Sequence, residues 1–364
     1  MNILFLSNIF DYPFYGPSHC IPEIVRAQAE VDSVFWYNIV RGEKAWKALP
    51  YYHDLSEYPN QSISDLPEPF NHPDVIVAES NYPKFESSLG LELLAGEIPY
   101  VYVTNGSLTA RMTEYINANR KREREKILFD QAFLRKAAAI QYTTEQEYKA
   151  SGDGWNERHV IIPNGIAMPE KSKSGFHEGR IQGLFIGRLN AYQKGLDLLI
   201  DACALIRDEL VNAGFTIAIY GPHEHSDEQA LMEQAACKGL EGIVQFPGPV
   251  SGEEKERVLL ASDVFVMTSR TEGQPIALLE ALSYGLPCIV TTGTNMRDEI
   301  NAFHAGWTAD NTPEDIARAL AEMLREKDTL AELSGNARRL AKEYDWHSIA
   351  QKQHEFYLEI ANSR

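Results

Sequence analysis

Four apolar residues, Val264-Phe265-Val266-Met267, run into a polar turn and then a helix-forming stretch, and no other passage narrows the fold as far. An apolar run of that length reads as a parallel strand buried on both faces. The turn is Ser269-Arg270-Thr271-Glu272-Gly273-Gln274. Pro275 suits the first turn of the helix that follows, where its missing N–H costs nothing. Gly285 is expected to end that helix and Pro287 to keep it ended, ahead of a second strand, Cys288–Thr291. The free N–H groups in the stretch from Gly273 through Gln274 and Pro275 to Ile276, together with the helix dipole, converge above the sheet on a point that suits an anion. Glu272 lies in the turn, and Glu280 lies about two turns down the helix on a similar face. Two carboxylates beside an electropositive point suit a ligand that is both anionic and rich in hydroxyls, such as a nucleotide sugar. An ordinary loop with two solvated glutamates has the same spacing.

At 364 residues the chain is long for one core and suits two domains. A net charge of −18 opposes nucleic-acid binding and general attraction to anionic membranes. No apolar run approaches the ~18 residues that span a bilayer. Met1 to Ser7 reads as a first buried strand rather than a signal peptide. Cys20, Cys203, Cys237 and Cys288 lie in separate elements, which fits reduced structural thiols in a cytoplasmic protein.

Residues 1 to about 163 alternate strands and helices, with strands expected at Ile3–Leu6, Val34–Val40, Val75–Ala78, Tyr100–Val103, Ala139–Tyr142 and Val160–Ile162. Tyr51 to His72 is expected to be a long surface loop. The first turn, Asp11 to Ser18, has only Gly16 and no dinucleotide fingerprint. Asn105-Gly106 follows a strand end; Asn105 can hydrogen-bond a sugar hydroxyl or simply make a turn. Arg111 to Lys136 reads as a charged helix, either solvated or a membrane-interface patch. Asn164-Gly165 and the breaker-rich 169–175 stretch mark a domain boundary. Beyond it, Arg188 and Lys194 sit just past a strand, where two cations can neutralise a diphosphate or simply stand as exposed charges. Strands are expected at Thr216–Tyr220 and Val244–Phe246, and Val250 lies in the turn after the second. His223 and His225 lack a third ligand at metal spacing. Thr312 and Pro313 open further helices, and a final amphipathic one starts at Trp346.

Glu272, Gly273, Pro275, Leu279, Glu280, Ala281, Gly285 and Pro287 together resemble the Glu-x7-Glu signature of family 4 glycosyltransferases. Gly187-Arg188 with Lys194-Gly195 is similar to the segment with which that family binds the donor diphosphate, and Asn164-Gly165-Ile166 to its hinge. The resemblance implies the GT-B fold: α/β, with two Rossmann-like domains whose parallel sheets face a central cleft. Residues 1–165 would then form the acceptor-side domain, joined by the last helix, 346–364, and residues 166–345 the nucleotide-sugar domain. It implies retaining, metal-independent transfer from a nucleotide-diphosphate sugar to a glycan or lipid-linked acceptor, without a cofactor, in bacterial surface polysaccharide or glycolipid assembly. Carried over, Glu272, Arg188 and Lys194 are catalytic, and Gly16, Asn105, Val250, Gly273, Gln274, Pro275, Ile276 and Glu280 bind the donor. Two departures stand out. Pro17 replaces the second glycine of the family's first loop, and no histidine lies near Asn105. A nucleotide-sugar epimerase or hydrolase, or a non-catalytic binding subunit, fits the same plan; donor turnover with and without acceptor separates the three.

Overall fold

The computed structural model describes the chain apart from residues 11–15, 43–45, 80–87, 110–130, 153, 223–226 and 364. Its backbone contacts form two units, Met1–Gly165 with Trp346–Arg364, and Ile166–Asp345.

The first unit is built on a seven-stranded sheet in which every pairing is parallel. Its strands are β1 (Asn2–Ser7), β2 (Ser33–Asn38), β3 (Tyr52–Asp54), β4 (Val75–Glu79), β5 (Tyr100–Val103), β6 (Ala139–Tyr142) and β7 (His159–Ile161). They lie in the order β3-β2-β1-β4-β5-β6-β7. β3 corrects the expectation of a loop over 51–72. Three residues are too few to show a period, and the strand is held by tertiary contacts instead. The Tyr52 ring meets Trp36 edge-on at 4.7 Å, and buried Asp54 accepts from the Gly42 N–H at 3.0 Å. Helix Trp346–Asn362 buries Ile349, Tyr357 and Ile360 and packs on helix Gly16–Ala29 and on β4.

At the carboxyl edge of this sheet, Asn105 and Gly106 turn with φ of 46° and 86°. Buried Glu147 fastens that turn. Its Oε1 accepts from Thr104 Oγ1 at 2.5 Å and the Gly106 N–H at 2.6 Å; its Oε2 accepts from the Thr143 N–H at 2.7 Å and Oγ1 at 2.6 Å. Burial raises the Glu147 pKa, and these donors oppose the rise.

The second unit holds β8 (Ile181–Ile186), β9 (Phe215–Tyr220), β10 (Val244–Gly248), β11 (Val264–Met267), β12 (Cys288–Thr291) and β13 (Gly306–Ala309). They form a parallel sheet in the order β10-β9-β8-β11-β12-β13. This is the doubly wound nucleotide-binding order. Its direction reverses between β8 and β11, and ligands bind at such a switch point, beyond the carboxyl ends of the strands. β13 carries no sequence signal. It opens on Gly306, where a Cβ would lie 1.9 Å from the Cys288 carbonyl oxygen, so only glycine lets the strand approach β12.

Helix Ile276–Tyr284 ends at Gly285 with φ 88°, as the pattern predicts. Pro275 corrects its expected place. It is the N-cap, extended at ψ 117°, and its carbonyl accepts from the Leu278 N–H at 3.1 Å. Thr312 caps helix Pro313–Arg325 by accepting from the Asp315 N–H at 3.2 Å. Cys20, Cys203 and Cys288 are buried, Cys237 is exposed, and all four are free thiols. Among the described residues no helix is long and apolar enough to cross a membrane.

Candidate active site

The turns after β8 and β11 flank the switch point of the second sheet, and side chains stitch them together. After β8, Asn190 caps the short helix Ala191–Lys194 by accepting from the Gln193 N–H at 2.7 Å. Gly195 then reverses the chain with φ 62°. A Cβ at Gly195 would lie 2.0 Å from the Thr268 carbonyl oxygen, so two constraints demand glycine there. Thr268 Oγ1 donates to the carbonyls of Lys194, at 3.2 Å, and Gly195, at 2.9 Å. The Arg270 N–H donates to the Gln193 carbonyl at 2.8 Å. Arg270 also forks onto Asp197 at 2.7 and 2.6 Å, and its guanidinium lies 4.7 Å from the Tyr192 ring centroid.

This stitching delivers Lys194 to Glu272. Nζ stands 2.5 Å from Oε1, and both side chains are only about one-tenth exposed, at 11% and 10%. Ser269 Oγ donates to the same oxygen at 2.6 Å. Arg188 joins through Gln193, whose Oε1 accepts from Nη2 at 3.3 Å. Lys194 and Glu272, 78 residues apart along the chain, thus meet at the point where the sheet order predicts a ligand, and Arg188 is tied to the same turn through Gln193.

The backbone beyond Glu272 offers N–H groups that could receive an anion. Among the described residues, no acceptor takes the N–H groups of Gly273, Ile276 or Ala277 at the helix start. Gln274 is buried and donates to Met296 Sδ at 3.4 Å. The turn's carbonyls are drawn to the other side. Thr291 Oγ1 and Asn311 Nδ2 donate to that of Ser269, at 2.8 and 2.9 Å, and Asn295 Nδ2 to that of Glu272, at 2.6 Å.

Glu280 lies on the helix as expected, half-buried, with Lys255 Nζ 2.5 Å from its Oε2. Lys255 comes from helix Gly252–Ala261. Val250 is buried in the loop after β10. Just before it, the Gly221 N–H donates to the Gly248 carbonyl at 3.1 Å, and a Cβ on Gly221 would lie 1.8 Å from the Gly187 carbonyl oxygen. The turns ending β8, β9 and β10 therefore pack tightly at one edge.

Gly16 and Asn105 belong to the first unit. Gly16 opens its helix, and a Cβ there would meet nothing within 4 Å among the described residues. Asn105 Nδ2 donates to Glu79 Oε2 at 3.1 Å. The rest of the first turn (11–15), the charged centre of 111–136 and both His223 and His225 lie outside the described residues. Among the described residues no three metal-ligating side chains cluster. The residues the sequence reading missed are Gln193, Ser269, Lys255, Asn295 and Asn311. Ser269 and Gln193 stood beside noted motifs; the other three gave no signal, because their partners are 23 to 43 residues away.

Residues 168–340 match the family model described as glycosyl transferases group 1. The putative colanic acid biosynthesis glycosyltransferase WcaL of Escherichia coli K12 is 34% identical over 138 residues, 36% of this chain and 32% of that one. Mannosylfructose-phosphate synthase of Agrobacterium fabrum is 30% identical over 205 residues, 54% of this chain and 44% of that one. The chain thus matches less than half the length of either relative. Sucrose-phosphate synthase from Thermosynechococcus elongatus superposes with a TM-score of 0.74 at 15% identity, covering 100% of both chains. Anabaena HepE, solved with UDP and glucose, gives 0.70 at 20% identity, covering 99% of this chain and 100% of that one. Residues 168–340, nearly all of the second unit, are thus similar to group 1 glycosyl transferases, and the chain has the GT-B fold.

Proposed function

We propose that the chain is a retaining glycosyltransferase of family 4, transferring a sugar from a nucleotide-diphosphate donor to an acceptor hydroxyl. The observation that carries this reading is the Lys194–Glu272 contact, with Arg188 beside it, next to the unclaimed N–H groups of Gly273 and Ile276. Lys194 has three donors and gives one to Glu272; the others, with the Arg188 fork, serve the diphosphate. These cations and the helix start stabilise the charge that grows on the leaving phosphate. Glu272, held by Lys194 and Ser269, presents its second oxygen to the donor sugar, and Glu280 serves the ribose hydroxyls. No metal is required in this scheme, because the cations already carry the counter-charge. Retention follows if the acceptor attacks on the face that the phosphate leaves, with a phosphate oxygen taking its proton.

The HepE structures with UDP and UDP-glucose favour a uridine diphosphate donor as the first to test. The names of WcaL and of amylovoran biosynthesis glycosyltransferase AmsK favour an acceptor in polysaccharide biosynthesis, and the cytoplasmic side as the place of action is part of the proposal. A lipid-linked acceptor would bring residues 111–136 to the membrane face; sedimentation with anionic vesicles tests this.

The decisive experiment measures thermal stability against UDP, GDP, ADP and CMP, with Glu280→Ala as control. A ligand at 100 times its dissociation constant stabilises by about 2.7 kcal/mol. One diphosphate should stabilise the wild type, and Glu280→Ala should weaken it by about 1.5–3 kcal/mol. No shift from any of them refutes the reading. Turnover of the stabilising donor with and without acceptor, in EDTA, with the product anomer read by NMR, then tests transfer, metal independence and retention.

A further inference from the structure

We infer that Asn295 is a positioning residue that aims the Gly273 N–H at the donor phosphate; this rests on the transferase reading above. Asn295 is buried and follows the short turn Thr292–Thr294 with φ 57° and ψ 27°. That left-handed conformation favours glycine and admits asparagine. Glycine would satisfy the backbone better, so the asparagine side chain needs a reason of its own. The structure supplies one: Nδ2 reaches across 23 residues to the Glu272 carbonyl at 2.6 Å.

A trans peptide is planar, so its C=O and N–H point to opposite sides. Drawing the Glu272 carbonyl toward Asn295 turns the Gly273 N–H the other way, where no protein acceptor meets it among the described residues. The neighbouring carbonyl bonds from Thr291 and Asn311 to Ser269 have the same sense. Without Asn295 the peptide loses the one side chain that, among the described residues, holds the Glu272 carbonyl, and it gains freedom to rotate. A donor aimed at developing charge works only if it is already in place when the charge forms.

The test compares the full chain with Asn295→Gly and Asn295→Asp. Glycine keeps the left-handed turn and removes the amide; aspartate keeps the size and sets an acceptor against the carbonyl. A role in the turn alone makes Asn295→Gly as active as wild type. Positioning makes both variants lose about 10- to 100-fold in kcat, the scale of one misaligned donor, with KM for the donor within about threefold. Independently, the Gly273 amide resonance, assigned by its loss in Gly273→Ala, is followed in 15N-glycine-labelled protein titrated with pyrophosphate. It should shift in wild type and not in either variant.

Unchanged kcat together with an unchanged Gly273 shift in Asn295→Gly overturns the inference, and so does a Gly273 resonance that ignores pyrophosphate in wild type. If wild type transfers no sugar, yet pyrophosphate shifts Gly273 only when Asn295 is present, the positioning stands and the transferase reading falls.

Discussion

Glu79 closes β4 at the point in the first sheet where strand order reverses, and it is 2% exposed. One oxygen accepts from Asn105 Nδ2 at 3.1 Å, and the other meets no hydrogen-bond donor among the described residues. Burial pushes its pKa from 4.5 up to about 7, with only the Asn105 bond opposing. Between those values the folded chain holds a proton that the unfolded chain has released. Glu79 therefore favours folding fully below about pH 4.5, and that contribution is lost as pH rises to about 7. At about 1.4 kcal/mol per pH unit, the gap amounts to about 3 kcal/mol. Glu79→Gln keeps the shape and an acceptor for Asn105 but carries no proton to lose. The variant should match wild type near pH 4 and exceed it by about 3 kcal/mol at pH 8. Hydrogen exchange of peptides covering β4 and β5, corrected for intrinsic rate, reads the opening free energy of this unit directly. Parallel pH profiles for the two proteins would refute the reasoning, because the cost of ionising Glu79 would then not be charged to the fold.

Gly195→Ala should destabilise the second unit by at least about 2 kcal/mol in urea unfolding, since the left-handed backbone and the Thr268 carbonyl oppose any Cβ. Lys194→Met should cost about 3 kcal/mol by leaving Glu272 with only Ser269, and should abolish donor turnover; adding Glu272→Gln should restore stability but not turnover.

Much of the fold is legible in residues that act locally. Val264–Met267 and Cys288–Thr291 are apolar enough to declare buried strands, Gly285 and Thr312 mark helix ends by their own chemistry, and Arg188 and Lys194 stand visibly just past a strand. β3 and β13 are silent because three or four residues held by Trp36, Asp54 or a close Gly306 backbone show no period. Pro275 has a fixed φ either way, so N-cap and first helical turn look alike in sequence.

The chain's own order of residues determines that there are two sheets, which turns carry charge, and that Glu272 and Glu280 share a turn and its helix. Those properties depend on neighbours a few residues apart, and local conformation expresses them directly. Only the tertiary structure decides that Lys194 takes Glu272, that Lys255 takes Glu280, and that Asn295 holds the Glu272 carbonyl. It also decides that Glu79 is buried with one oxygen unmet among the described residues. Each is a contact between side chains brought together by parallel strands whose crossovers place distant turns at one edge of a sheet, and no local pattern records which of those turns will meet.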